Sequence, residues 1–117
     1  MTSSLRGPLA LGTMMFGAWG NTDEGECRRM VSMAIDAGIT LFDTADMYDA
    51  GVSEEILGRA LVGRRDRVAI ATKVGNPMAG DLSRSGLSRR WITTAVEDSL
   101  RRLQTDHIEL YQMHRPD

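Results

Sequence analysis

Asp43, Tyr48, Lys73 and His114 have complementary chemical needs. They stand in FDTADMYDAGVSEEILG, IATKVG and LYQMHRPD, near the ends of three expected strands. A carbonyl that accepts hydride develops charge on its oxygen, and something must give that oxygen a proton or a strong hydrogen bond. A tyrosine hydroxyl is a weak acid with a reference pKa of about 10, and a cation within about 4–6 Å favours its phenolate. Lys73 can be that cation. A buried ammonium is costly unless paired, and Asp43 can pair it. His114 can donate from one ring nitrogen and orient the substrate oxygen. Taken singly, each residue has a plainer reading: a turn-capping acid, a half-buried aromatic, a strand-closing lysine, a structural histidine. Their joint placement is what points to chemistry.

The elements that must position these groups alternate strictly. LGTMMFG (11–17) reads as a first strand. A helix begins near Thr22 or Asp23, with Cys27, Met30, Val31, Ala34 and Ile35 on one face at amphipathic spacing. Gly38 is placed to close it as a left-handed cap. ITLFDTA (39–45) is the second strand. Ser53 reads as the N-cap of the next helix, with Glu54 and Glu55 in its first turn and Val52 and Leu57 as a hydrophobic staple. Its buried face is Ile56, Leu57, Ala60 and Leu61. VAIATKV (68–74) is the third strand, and 76–86 is a Gly-, Ser- and Pro-containing loop. Ser88 caps a third helix with Leu87 and Ile92 as staple. Its expected core stripe is Ile92, Val96, Leu100 and Leu103, and Glu97–Arg101 and Asp98–Arg102 are i, i+4 pairs on its outer side. IELYQMH (108–114) is the fourth strand.

Such alternation implies right-handed parallel βαβ units, in either a (β/α)8 barrel or an open doubly wound sheet. The G-x-G-x-x-G fingerprint of the open sheet is absent, since GTMMFGAWG has its glycines at other intervals. In a parallel barrel, active-site groups come from the C-terminal ends of several strands, as the four candidates do. The third strand agrees. Val68, Ile70 and Thr72 suit a helix-covered face, and Ala69 and Ala71 suit a crowded barrel interior. Lys73 shares the alanines' side, so its ammonium points inward at the barrel top.

The chain of 117 residues is at most one small domain. Its net charge of −2 gives no support to nucleic acid or a membrane surface as partner. The RRDR run (64–67) lacks interleaved aromatics and reads as a solvated connection. No run approaches the ~20 apolar residues of a membrane span, and no signal peptide is recognisable. The single Cys27 lies on an apolar stripe and suits a buried structural thiol in a reducing, cytoplasmic setting.

Together with GLSRRWITTAVEDSLRRLQTDHIELYQMHRPD, these segments resemble the N-terminal half of the aldo-keto reductase family, from about Leu11 to Asp117. The resemblance implies a (β/α)8 barrel of which residues 1–117 form one half. It also implies an oxidoreductase that reduces a small-molecule aldehyde or ketone with NADPH, and no metal. Tyr48 would be the general acid, Lys73 the group that lowers its pKa, Asp43 the partner of Lys73, and His114 the residue that orients the carbonyl. Thr13 and Met14, with Asp43, would lie at the nicotinamide end of the cofactor. Trp19 and Met47 would line the substrate pocket. The potassium-channel β subunits resemble this chain in motif spacing but carry asparagine where His114 stands, which favours a reductase here. A full barrel takes ~250 residues. The units that grip the cofactor's phosphates and adenine in the family are the last two, which 117 residues do not include. The alternative is therefore a non-catalytic half-barrel that binds or assembles, and an open half barrel is expected to self-associate.

Overall fold

The computed structural model describes residues 9–18 and 20–114. Four strands, β1 (Ala10–Gly12), β2 (Leu41–Asp43), β3 (Ala69–Val74) and β4 (Leu110–Met113), pair in parallel in the order β1-β2-β3-β4. Three helices connect them: α1 (Glu24–Asp36), α2 (Val52–Ala60) and α3 (Arg89–Leu103). Sequential order without reversal is decisive between the two candidate architectures. Right-handed crossovers that always step the same way leave every helix on one face of the sheet, as in a barrel, whereas a doubly wound sheet must reverse.

The helix ends show why the sequence breaks where it does. The Asp23 carboxylate caps α1 by accepting from the Glu26 amide at 3.2 Å. Gly38, at φ +90°, ends it, with Gly38 N–H on Ile35 O (3.0 Å) and Ile39 N–H on Ala34 O (2.8 Å), the Schellman pattern. The Ser88 hydroxyl accepts from the Trp91 amide at 3.1 Å and caps α3 as expected. Ser53 does not cap α2. That position belongs to Gly51, and the buried Ser53 hydroxyl donates to Thr13 O at 2.5 Å, tying the end of β1 to α2. Val52 is accordingly the first helical residue and not one arm of a staple.

Two apolar clusters fill the helix side. The larger joins Cys27, Val31, Ala34 and Ile35 of α1 to Ile56, Leu57 and Ala60 of α2 and to Phe42 and Ile70 of the sheet. Met30, expected on the α1 stripe, is 41% exposed instead. The smaller cluster packs Trp91 and Ala95 of α3 against Val74 and Met78. The buried stripe of α3 is Trp91, Ala95, Ser99 and Leu103, so the helix is turned by one residue from the expected 92/96/100 face. The reason lies at α2. A Cβ on Gly58 would sit 2.5 Å from Arg102 O, so the two helices meet almost backbone to backbone, and only small side chains fit between them. Arg102 is drawn into that contact and pairs with Glu54, not Asp98; Asp98 is bonded by Arg101.

The RRDR run is likewise more than a solvated connection. Arg65 donates to Val68 O (2.9 Å), His107 O (2.8 Å), Thr105 Oγ1 (3.1 Å) and Glu109 Oε1 (2.7 Å). It thereby pins the start of β4 to β3. The far end of the sheet lies open: Leu110 and Met113 on β4 are 42% and 69% exposed.

Candidate active site

All four predicted residues lie at or just beyond the C-terminal ends of β2, β3 and β4. Asp43 ends β2, and the register sets it beside Gly12 of β1 and Ala71 of β3. Lys73, two residues further along β3, points to the same face and donates to Asp43 Oδ1 at 2.9 Å and to Thr44 O at 2.8 Å. Thr72, one residue earlier, points to the helices, where its hydroxyl meets Glu54 Oε2 at 2.7 Å. The alternation read along β3 therefore holds side chain by side chain. The Lys73 side chain is 16% exposed and that of Asp43 41%, so the ammonium is sheltered and its counter-charge faces outward.

Tyr48 comes from the turn after β2. Its ring centre is 5.4 Å from Lys73 Nζ, within reach of a cation–π attraction. His114, whose amide donates to Val74 O at 2.8 Å, lies beyond β4. Its ring stands edge-on to that of Tyr48, 5.9 Å between centres and 86° between planes. A phenol, an ammonium and an imidazole thus converge at one end of the sheet, with a carboxylate fixing the ammonium. The turn holding Tyr48 is strained. Asp49 and Ala50 have φ of 49° and 52°, followed by Gly51 at 101°. A left-handed conformation costs a non-glycine residue roughly 1–2 kcal/mol, and such strain persists only where the surroundings enforce it.

Behind this site, on the helix side, lies a buried polar network absent from the sequence reading. Glu54 is fully buried and accepts from Thr72 Oγ1, Ser99 Oγ (3.2 Å) and Arg102 Nε (2.7 Å). Asp46, also fully buried, makes no well-formed side-chain hydrogen bond among the described residues. Burial, and then the nearby Glu54, push its carboxyl up to about 7; Arg102 and the adjacent amides of Met47 and Asp46 only partly oppose this. Burial also raises the Tyr111 phenol, with Asp46 and Glu54 adding to the effect. The signal for Glu54 was present. It shares helical spacing with Leu57, Gly58 and Leu61, which places it on the buried stripe. Nothing local marks Asp46.

The sequence profile of the Aldo/keto reductase family matches residues 8–117. This chain belongs to the aldo/keto reductase family. It is 45% identical over 113 residues to aldo-keto reductase YhdN of Bacillus subtilis, covering 93% of this chain and 34% of that protein. An aldo-keto reductase from Bacillus halodurans, solved in a holo form, superposes with a TM-score of 0.79 at 44% identity, over 90% of this chain and 35% of that one. One from Klebsiella pneumoniae, solved with NADPH, gives 0.74 at 34% identity, over 92% and 35%. The chain spans about a third of the length of these relatives. Its four strands and three helices are accordingly half of a TIM barrel.

The remaining residues that the family resemblance singled out are placed as follows. The Thr13 side chain is buried, its hydroxyl 3.0 Å from that of Ser53, and its amide donates to Asp43 O at 3.0 Å. Met14 follows it and is exposed. Met47 packs in part against the cluster of Val74 and Trp91. Trp19 lies outside the described residues.

Proposed function

We propose that this chain carries the proton-donating site of an NADPH-dependent reductase of aldehydes or ketones. The observation that supports it is the bridging position of Lys73, bonded to Asp43 and 5.4 Å from the Tyr48 ring. In this reading Tyr48 gives its hydroxyl proton to the carbonyl oxygen as negative charge builds there. Lys73 stabilises the phenolate left behind, and Asp43 holds Lys73 in place and balances its charge. His114, edge-on to Tyr48, orients the same oxygen. Bound NADPH would supply the hydride. The open face beside Asp43, with Met14 exposed at its rim, suits the nicotinamide end of such a cofactor, with Thr13 positioned through its backbone. The dependence on NADPH draws on the Klebsiella relative solved with it. Met47 and Trp19 are assigned to the substrate pocket. The buried lone Cys27 suits a cytoplasmic protein.

The test grafts residues 9–114 in place of the matching segment of the Bacillus halodurans relative and follows NADPH oxidation with a panel of aldehydes and ketones. Turnover that disappears on Tyr48→Phe supports the assignment. A folded graft that binds NADPH but reduces none of the panel counts against it.

A further inference from the structure

The strained turn after Tyr48 is bonded at one end and closely packed at the other, and the packed end leads back to β3, the strand that carries Lys73. At one end the Asp49 carboxylate accepts from the Ala18 amide at 2.8 Å. It fits so closely there that a Cβ on Gly17 would lie 2.5 Å from Asp49 Oδ2. At the other end, a Cβ on Gly51 would lie 2.7 Å from Arg102 Cδ. Arg102 is itself fixed by Glu54, and Glu54 by the hydroxyl of Thr72, the residue before Lys73. Between these anchors lie Asp49 and Ala50, both left-handed and neither glycine. A backbone in that conformation relaxes unless it is held.

We propose that Asp49 is a positioning residue, its carboxylate on the Ala18 amide holding the turn 48–51 in the shape that presents the Tyr48 ring to Lys73 and His114. The inference rests on the reading of Tyr48 as proton donor only for its effect on rate. Without that anchor the turn loses its tie to the loop after β1, and the two left-handed residues revert toward ordinary backbone. The phenol then swings away from the ammonium and the imidazole. Asparagine at position 49 can still accept from the Ala18 amide, whereas alanine cannot.

The experiment uses the grafted barrel described above, with Asp49→Ala and Asp49→Asn made both in the parent and in Tyr48→Phe. Asp49→Ala should lower kcat by roughly tenfold to a hundredfold, as expected for a reacting group displaced by about 1 Å. NADPH affinity should stay within about twofold, because the lost contact serves the chemical step. Asp49→Asn should recover most of the rate. In Tyr48→Phe, Asp49→Ala should have no further effect, since one residue acts through the other. A crystal structure of Asp49→Ala is the second arm and should show the Tyr48 ring displaced from its 5.4 Å and 5.9 Å separations from Lys73 and His114. An unmoved ring overturns the proposal. So does an equal loss of rate and NADPH affinity that persists in Tyr48→Phe, which is the mark of general damage. A displaced ring, with Tyr48→Phe as active as the parent, leaves the positioning role standing and removes Tyr48 as proton donor.

Discussion

The Lys73 ammonium stands 2.9 Å from the Asp43 carboxylate and 5.4 Å from the centre of the Tyr48 ring. Three residues from two strand ends and one turn are thereby joined in a single electrostatic unit. The first distance is that of a charged hydrogen bond, and the second is that of a cation–π attraction. That arrangement has consequences that can be measured.

In the grafted barrel, Tyr48→Phe should lower kcat by ~10²–10⁴-fold, the usual contribution of general acid catalysis. NADPH affinity should change little, because the hydroxyl acts in the transition state. Steady-state kinetics with one aldehyde, together with NADPH titration, provide both numbers. A Phe variant within a few fold of the parent would mean that another group gives the proton.

Arg102→Met should destabilise the fold by about 3–5 kcal/mol, because it strands the buried Glu54 charge. Adding Glu54→Gln removes that charge and should recover part of the loss. Denaturant unfolding of the single and double variants measures the coupling. Strict additivity would show that the pair does not interact as its 2.7 Å contact implies.

Asp46 should make stability fall as pH rises. Its folded carboxyl titrates at about 7 against an ordinary 3.8, so between these values the folded state holds the proton that the unfolded state has lost. The interval corresponds to on the order of 4 kcal/mol lost by pH 8. Asp46→Asn should therefore melt higher than the parent at pH 8, with the advantage shrinking toward pH 4. Melting curves of the two proteins across that range decide the matter. A gap in melting temperature that does not vary with pH would show that Asp46 titrates normally.

The 117-residue chain alone should associate and bind NADPH weakly. Both outer strands, β1 and β4, present unpaired backbone, and Leu110 and Met113 lie exposed beside one of them. Sedimentation and NADPH fluorescence titration test this. A monomer with micromolar affinity would mean that half a barrel holds far more of the cofactor than the open sheet suggests.

Local chemistry was enough to read the element order, the caps at Gly38 and Ser88, and the inward side of β3 that carries Lys73. Each depends on a residue's own backbone preference or on a period of two or 3.6, and these are written into consecutive positions. The meeting of Asp43, Tyr48, Lys73 and His114 was legible for the same reason, because parallel strands bring their C-terminal ends to one side. What only the tertiary structure decided concerns contacts between elements. Ser53 could cap a helix or reach Thr13, and the placement of β1 chose the second. Glu54 looked like a first-turn acid, but the close approach of α2 and α3 at Gly58 turned α3 and brought Arg102 and Ser99 onto it. The left-handed run at Asp49 and Ala50 has no local cause. Alanine rarely adopts it alone, and the contacts beside it, the Ala18 amide on the Asp49 carboxylate and Arg102 against Gly51, come from segments 31 and 51 positions away in the chain.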